Sequence, residues 1–153
     1  MDLQGGAGVI NFSQKFFMLL MPRKVKFRRQ QRGTNRGVAV RGSSIAYGDY
    51  ALKVIDRGLL SSRQLEAARK SIMHETKRGG KLWIRAFPDK PVAKKANETR
   101  MGSGKASTDH YSAMVKPGKI IFELAGVTEA TAKKAFHKAA AKFPIRTRFV
   151  SRE

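Results

Sequence analysis

The chain has 153 residues, 32 Lys+Arg against 11 Asp+Glu, a formal net charge of +21 and a sequence pI near 11.1. That length is one ordinary domain with room for a tail, and a hydrophobic fraction of 41% is too high for a purely disordered basic tail. Cysteine is absent, which excludes disulfides, thiolate zinc sites and cysteine nucleophiles, and no stretch approaches the roughly 18 apolar residues of a membrane-spanning helix.

At the N-terminus, Gly5-Gly6-Ala7-Gly8 reads as an unstructured leader. The apolar run Phe16 to Met21 is short and is followed by arginines rather than a small-residue cleavage site, so it makes a poor signal peptide. Met18 and Met21 are alternative start positions, which leaves the status of residues 1–17 open. Between Asp2 and Asp49 there is no acidic residue, yet Lys15, Arg23, Lys24, Lys26, Arg28, Arg29, Arg32, Arg36 and Arg41 all stand there. So much self-repulsion costs compact stability. A polyanion removes that cost, and nucleic acid also releases a counterion for each phosphate neutralised. Residues 18–42 are therefore read as an extended basic arm that orders on binding RNA, broken by Gly33, Gly37 and Gly42. Residues 43–153 are read as a single folded domain.

Tyr50 to Ile55 predicts a strand ended by Gly58. Ser61 and Gln64 have capping-box spacing, and Leu60 and Leu65 that of a hydrophobic staple. A helix follows with Leu65, Ala68, Ile72 and Thr76 on its apolar face, stopped at Gly79-Gly80. Arg63, Lys70 and Lys77 recur on a second face and are candidate phosphate contacts. Leu82 to Phe87 predicts a strand, and Pro88 and Pro91 bracket a turn. From Val92 to Thr108 there is almost nothing to bury. This long basic loop contains Lys94, Lys95, Arg100, Met101, Gly102, Gly104 and Lys105, and loops of that length are usually functional or disordered.

Tyr111 to Val115 and Ile120 to Leu124 predict two strands paired as a hairpin through Lys116-Pro117-Gly118-Lys119. A second helix begins at Val127-Thr128-Glu129. Its apolar face is Ala132, Ala135, Phe136, Ala139 and Phe143, its basic face Lys134, Lys138 and Lys142, and Pro144 ends it. Ile145 to Val150 is a last strand. The catalytic inventory is thin: His74, His110 and His137 have no metal-ligand spacing, and the carboxylates are scattered singly. Arg100 to Lys105 lacks the Gly-Lys-Ser/Thr ending of a nucleotide-binding loop. Phe27, Tyr47, Tyr50, Trp83 and Tyr111 are candidates for stacking on unpaired bases.

Five ordered motifs carry a resemblance. They are Pro22-Arg23-Lys24-Val25-Lys26-Phe27-Arg28-Arg29, Arg63-Gln64-Leu65-Glu66-Ala67-Ala68-Arg69, Trp83 to Pro91, Arg100-Met101-Gly102, and Ala139 to Thr147. Together they resemble the L-sixteen family of bacterial and organellar large-subunit ribosomal proteins, over about Met18 to Arg152. The resemblance implies an α+β fold with two helices against a mainly antiparallel sheet, a place in the ribosome, and no enzymatic activity, since RNA is the catalyst there. It implies contact with large-subunit rRNA, with tRNA near the aminoacyl-tRNA site and peptidyl transferase centre, and with neighbouring ribosomal proteins, together with a role in late subunit assembly. No cofactor, metal, membrane or small-molecule substrate is implied. The resemblance implies a cytoplasmic location in the ribosome, with an organellar ribosome as the variant. Two departures stand out. Ser103 and Ala106 replace Lys and Gly of the family's Arg-Met-Gly-Lys-Gly-Lys-Gly loop, and Asp109-His110-Tyr111-Ser112 lacks the family's tryptophan. The alternatives are a free RNA-binding or assembly factor, an RNA-modifying enzyme and a membrane-active protein.

Overall fold

The computed structural model describes residues 20–152; the expectations for residues 1–17 lie outside the described residues. Seven strands and two helices follow in the order β1 (Tyr50–Val54), β2 (Gly58–Ser61), α1 (Ser62–Glu75), β3 (Lys81–Ile84), β4 (Lys90–Ala93), β5 (Thr108–Val115), β6 (Ile120–Ala125), α2 (Glu129–Ala140) and β7 (Thr147–Ser151). The α+β expectation is borne out, with one refinement: the strands form two sheets. One is four-stranded in the order β3-β6-β1-β7, the other three-stranded in the order β2-β5-β4, and the pairings are antiparallel.

The predicted hairpin is wrong. β5 pairs with β2 and β4 in the smaller sheet, whereas β6 pairs with β1 and β3 in the larger. The turn itself exists, with the Lys119 amide donating to the Lys116 carbonyl at 3.1 Å, but it carries the chain from one sheet to the other. The Gly118 amide donates to Val54 O and the Val54 amide to Lys119 O, both at 2.8 Å, so the turn is tied to the end of β1. Burial explains the choice. Ile120 to Leu124 are all buried, so β6 needs cover on both faces and a partner on both edges, and β1 and β3 supply the edges.

Other boundaries also move. Gly58 opens β2 instead of ending β1, and a Cβ there would meet Ile145 Cγ2 at 2.6 Å. Lys90 and Pro91 already belong to β4, where proline is tolerated because β4 is an edge strand. β3 ends at Ile84, short of Phe87, and β7 starts at Thr147 rather than Ile145.

The start of α1 is as the local sequence dictates. Ser61 Oγ accepts from the Gln64 amide at 3.3 Å, Gln64 Oε1 accepts from the Ser61 amide at 2.9 Å, and both staple leucines are buried. Its end comes early: Thr76 is the C-cap, and Lys77 and Arg78 adopt φ of 50° and 64° ahead of Gly79-Gly80. α2 ends at Ala140, four residues before Pro144, which has no amide to donate to the Ala140 carbonyl, so Lys142 and Phe143, expected on the helix faces, lie beyond its end. Leu65, Ala68 and Ile72 of α1 and Ala132, Ala135, Phe136 and Ala139 of α2 bury against Leu52, Phe122 and Leu124 of the larger sheet and Ala113 and Val115 of the smaller. Phe143 is half-buried and stacks on Phe122 with ring centroids 6.2 Å apart. Lys138 Nζ lies 2.5 Å from Glu75 Oε2, an ion pair between the two helices.

Candidate nucleic-acid interface

Among its described residues the arm contains no helix or strand, yet it is not detached from the domain. Thr108 Oγ1 donates to Arg28 O at 2.9 Å, Lys105 Nζ to Gln30 O, and Lys90 Nζ to Arg32 O. These are alternate carbonyls, as expected where an extended chain turns every second carbonyl to one side. Further along, Asn35 Nδ2 donates to Val115 O at 2.8 Å, the Ala39 amide to Pro117 O at 2.8 Å, and the Ile120 amide to Gly42 O at 2.9 Å. The domain therefore holds the arm mainly by its backbone. Its cations are left over: Arg23, Lys24, Lys26, Arg28, Arg29, Arg32, Arg36 and Arg41 are all exposed, and among the described residues none is ion-paired.

The basic loop is the tip of the β4–β5 hairpin, closed where Ala93 faces Thr108. Lys94, Lys95, Arg100, Met101, Gly102, Gly104 and Lys105 are all exposed, and Met101 is 100% exposed. Gly102, Ser103 and Gly104 have φ of 110°, 55° and 76°, a run only glycine adopts freely. A Cβ at Gly102 or Gly104 would meet nothing within 4 Å, so the protein itself does not crowd these positions. Lys95 Nζ donates to Gly102 O at 2.7 Å, an internal brace. Because Lys105 and Thr108 grip Gln30 and Arg28, the structure brings the loop base and the arm together, which sequence spacing did not reveal.

The helical stripe survives only in part. Arg63 and Lys70 are exposed on α1, with Lys70 4.0 Å from Glu66 Oε1. Lys77 is exposed but lies beyond the helix end, off the predicted face. Arg63 belongs electrostatically to the loop base. The His110 ring, hydrogen-bonded to Asp109 at 2.7 Å, holds that carboxyl below the usual range, and the charges of Lys94 and Arg63 add to the effect. Of the aromatic candidates, Tyr50 packs on Phe149 with centroids 5.7 Å apart, Tyr111 is half-buried, and Phe27 and Tyr47 are exposed.

One residue that fixes the segment Ala46–Gly48, between the arm and β1, escaped sequence reasoning. Glu123, in the central strand β6, has 0% exposure. Its carboxylate accepts from the amides of Tyr47 at 2.6 Å, Gly48 at 3.0 Å and Ala46 at 3.2 Å, and from the Arg85 guanidinium. Burial pushes its pKa up, but the amides of Tyr47, Gly48 and Ala46 and the Arg85 charge outweigh it, leaving the group below the ordinary glutamate value. The only signal in the sequence was a lone acid inside an apolar run. Among the described residues no group of three His, Asp or Glu is placed to hold a metal, and no helix is long and apolar enough to cross a membrane.

The comparisons with known proteins agree with this basic, non-catalytic arrangement. The sequence model of the family described as Ribosomal protein L16p/L10e matches residues 22–150. The large ribosomal subunit protein uL16 of Polaromonas naphthalenivorans is 55% identical over 134 residues, covering 88% of this chain and 97% of that protein. The proteins of the same name from Paracidovorax citrulli and Acidovorax ebreus are 54% and 53% identical over 135 residues, each match covering 88% of this chain and 98% of the relative. The chain thus belongs to the ribosomal protein L16p/L10e family, whose members are structural proteins of the ribosome and not enzymes.

Proposed function

We propose that this chain is built into the large ribosomal subunit of a bacterial-type ribosome, where residues 18–42 and the loop tip bind RNA as one surface. The observation that carries this reading is the division of labour in the arm. Its carbonyls at Arg28, Gln30 and Arg32 are taken by the domain while its cations stay exposed and unpaired. Large-subunit rRNA is the polyanion for the arm, with Arg63 at the loop base and Lys70 and Lys77 as further phosphate contacts along and beyond α1. Arg100 and the glycines at the tip face tRNA near the aminoacyl-tRNA site, and seating this surface completes late assembly. The planar fork of Arg100 grips a phosphate in a way lysine does not.

Two measurements test it. Affinity of the full chain for a large-subunit rRNA fragment should fall steeply with salt, each phosphate contact adding roughly 0.7 to 0.9 to the logarithmic slope. Replacing Arg28, Arg29 and Arg32 by Ala should flatten that slope; an unchanged slope would remove the arm from the interface. Arg100→Ala should leave the melting temperature unchanged while weakening aminoacyl-tRNA binding by assembled ribosomes or raising the share of precursor subunits. If both ribosome properties match wild type, the loop is not the tRNA-facing element. Sedimentation separates a resident component, which stays with large subunits in moderate salt, from a factor that cycles off.

A further inference from the structure

On the larger sheet, Tyr47 and Trp83 form a stack with ring centroids 6.1 Å apart and planes inclined by 22°. The Arg85 guanidinium lies 5.0 Å from the Tyr47 centroid and Lys81 Nζ lies 5.2 Å from the Trp83 centroid. Lys81, Trp83 and the position of Arg85 alternate along the edge strand β3 and its continuation, so all three share the face opposite Leu82, which is half-buried against the core. Tyr47 is 61% exposed. Core packing does not explain a large aromatic ring left that open. Nor is it on a loose segment: its own amide and those of Ala46 and Gly48 are fixed by the buried Glu123, whose carboxylate also holds Arg85. A Cβ on Gly48 would come 2.8 Å from Leu124 O, so the backbone is pressed against β6 directly behind the ring.

We propose that Tyr47, backed by Trp83 and Arg85, is a stacking platform for an unpaired nucleobase, with Lys81 placed for the adjoining phosphate. The proposal rests on the reading of this chain as an rRNA-binding protein and adds a second contact of different chemistry. Base–aromatic stacking needs an exposed ring held in place, and an arginine at the ring adds a cation–π contribution. Tyr47 is 61% exposed, its amide is fixed by Glu123, and the Arg85 guanidinium lies over its ring. The charge around the ring selects the occupant. Glu123 is sealed inside and presents no acid to the surface, whereas Lys77, Arg78 and Lys81 are exposed in the turn and strand that lead to Trp83. Such a rim repels a basic ribosomal protein and attracts a polyanion.

Trp83 is the single tryptophan of the chain, so its emission reports on this patch alone. The full-length protein is titrated with a short single-stranded RNA and with the duplex it forms with its complement. The single strand should quench Trp83, and the duplex, at equal phosphate concentration, should leave it nearly unchanged because its bases are already stacked. Tyr47→Ala should weaken single-strand binding on the order of tenfold without altering the salt slope. Tyr47→Leu, which keeps apolar bulk, should behave like Tyr47→Ala, and Tyr47→Phe like wild type. Steep salt-dependent binding with a silent Trp83 and an unaffected Tyr47→Ala would overturn the platform while leaving the arm–loop interface standing. Loss of all RNA binding in the wild-type chain would instead refute the rRNA-binding reading. Quenching by RNA-free ribosomal proteins, and not by RNA, would assign the patch to a protein neighbour and also overturn the proposal.

Discussion

Replacing Glu123 by Gln tests whether the buried carboxylate fastens the segment Ala46–Gly48 to the larger sheet. The substitution preserves shape but removes the charge and turns one acceptor into a donor. In wild type one oxygen takes the Tyr47 and Gly48 amides and the other takes Arg85, with Ala46 shared between them. Whichever way the Gln amide turns, its NH2 faces either backbone amides or a guanidinium, so at least one set of donors is left unmatched. Breaking a buried, hydrogen-bonded ion pair costs about 3–5 kcal/mol. Arg85 is partly exposed and recovers some hydration, with a side-chain exposure of 19%, which favours the lower end, about 3 kcal/mol. For a chain of this size that lowers the melting temperature by roughly 6–12 °C near neutral pH. The pH dependence follows from the depressed pKa. Stability from Glu123 is fully present above the unfolded value, about 4.3, and is lost as pH falls through the lower folded value. The gap between wild type and Glu123→Gln should therefore be widest at neutral pH and close in acid. Thermal melts of both proteins across that range decide the matter. A neutral-pH difference within error, or a gap that persists unchanged in strong acid, would show that the charge does not hold Ala46 to Gly48.

Two further outcomes follow from the packing. Phe136 is 1% exposed, with its ring 6.1 Å from that of Phe149, so Phe136→Ala should cost about 3–5 kcal/mol, read as a fall in denaturation midpoint; an unchanged midpoint would mean the α2 face is wrongly phased. In amide exchange on the free protein, Arg23 to Val38 should exchange rapidly, because among the described residues none of these amides donates to a backbone carbonyl. The Ala39 amide, bonded to Pro117 O, should mark where protection begins, and protection well upstream would mean that the arm is already fixed before RNA arrives.

Features set by near neighbours in the chain were legible in the sequence. The capping box of Ser61 and Gln64, the Leu60–Leu65 staple and, apart from Phe143, the apolar face of α2 are satisfied within a turn or two of helix and stand as read. Features set by distant partners were not. The Lys116–Lys119 turn looks the same whether it joins two strands of one sheet or passes between sheets; the difference lies in the edges offered by β1 and β3. Helix α1 stops before its glycines because Lys77 and Arg78 take left-handed φ values that residue type does not advertise. At the candidate site the cations were legible from the missing acids, but Glu123 was not, since the amides that stabilise it lie 75 to 77 positions away.

The same distinction divides the basic residues by role. Within the loop, Lys95 and Lys105 donate to the carbonyls of Gly102 and Gln30, so their ammonium groups hold the loop to itself and to the arm. Lys90 does the same at Arg32. In sequence these lysines are indistinguishable from the rest, yet each spends its donors on backbone that would otherwise rely on water. Lys94 and Arg100 have no carbonyl or carboxylate hydrogen-bonded to them among the described residues, and Lys94 is already near the Asp109 charge. Arg100 is thus the loop cation least committed to the protein, next to a tip whose φ values leave its backbone open to close approach. Ser103, which stands where the resembled family loop has a lysine, carries no charge yet still adopts the left-handed bend with φ of 55°, so the tip has one cation fewer, and Arg100 is the tip's remaining cation with no partner among the described residues. The surface thus separates two kinds of cation that net charge alone conflates: Lys90, Lys95 and Lys105, whose ammonium groups hold the arm and loop in shape, and those such as Lys94 and Arg100 that no carbonyl of the described residues engages.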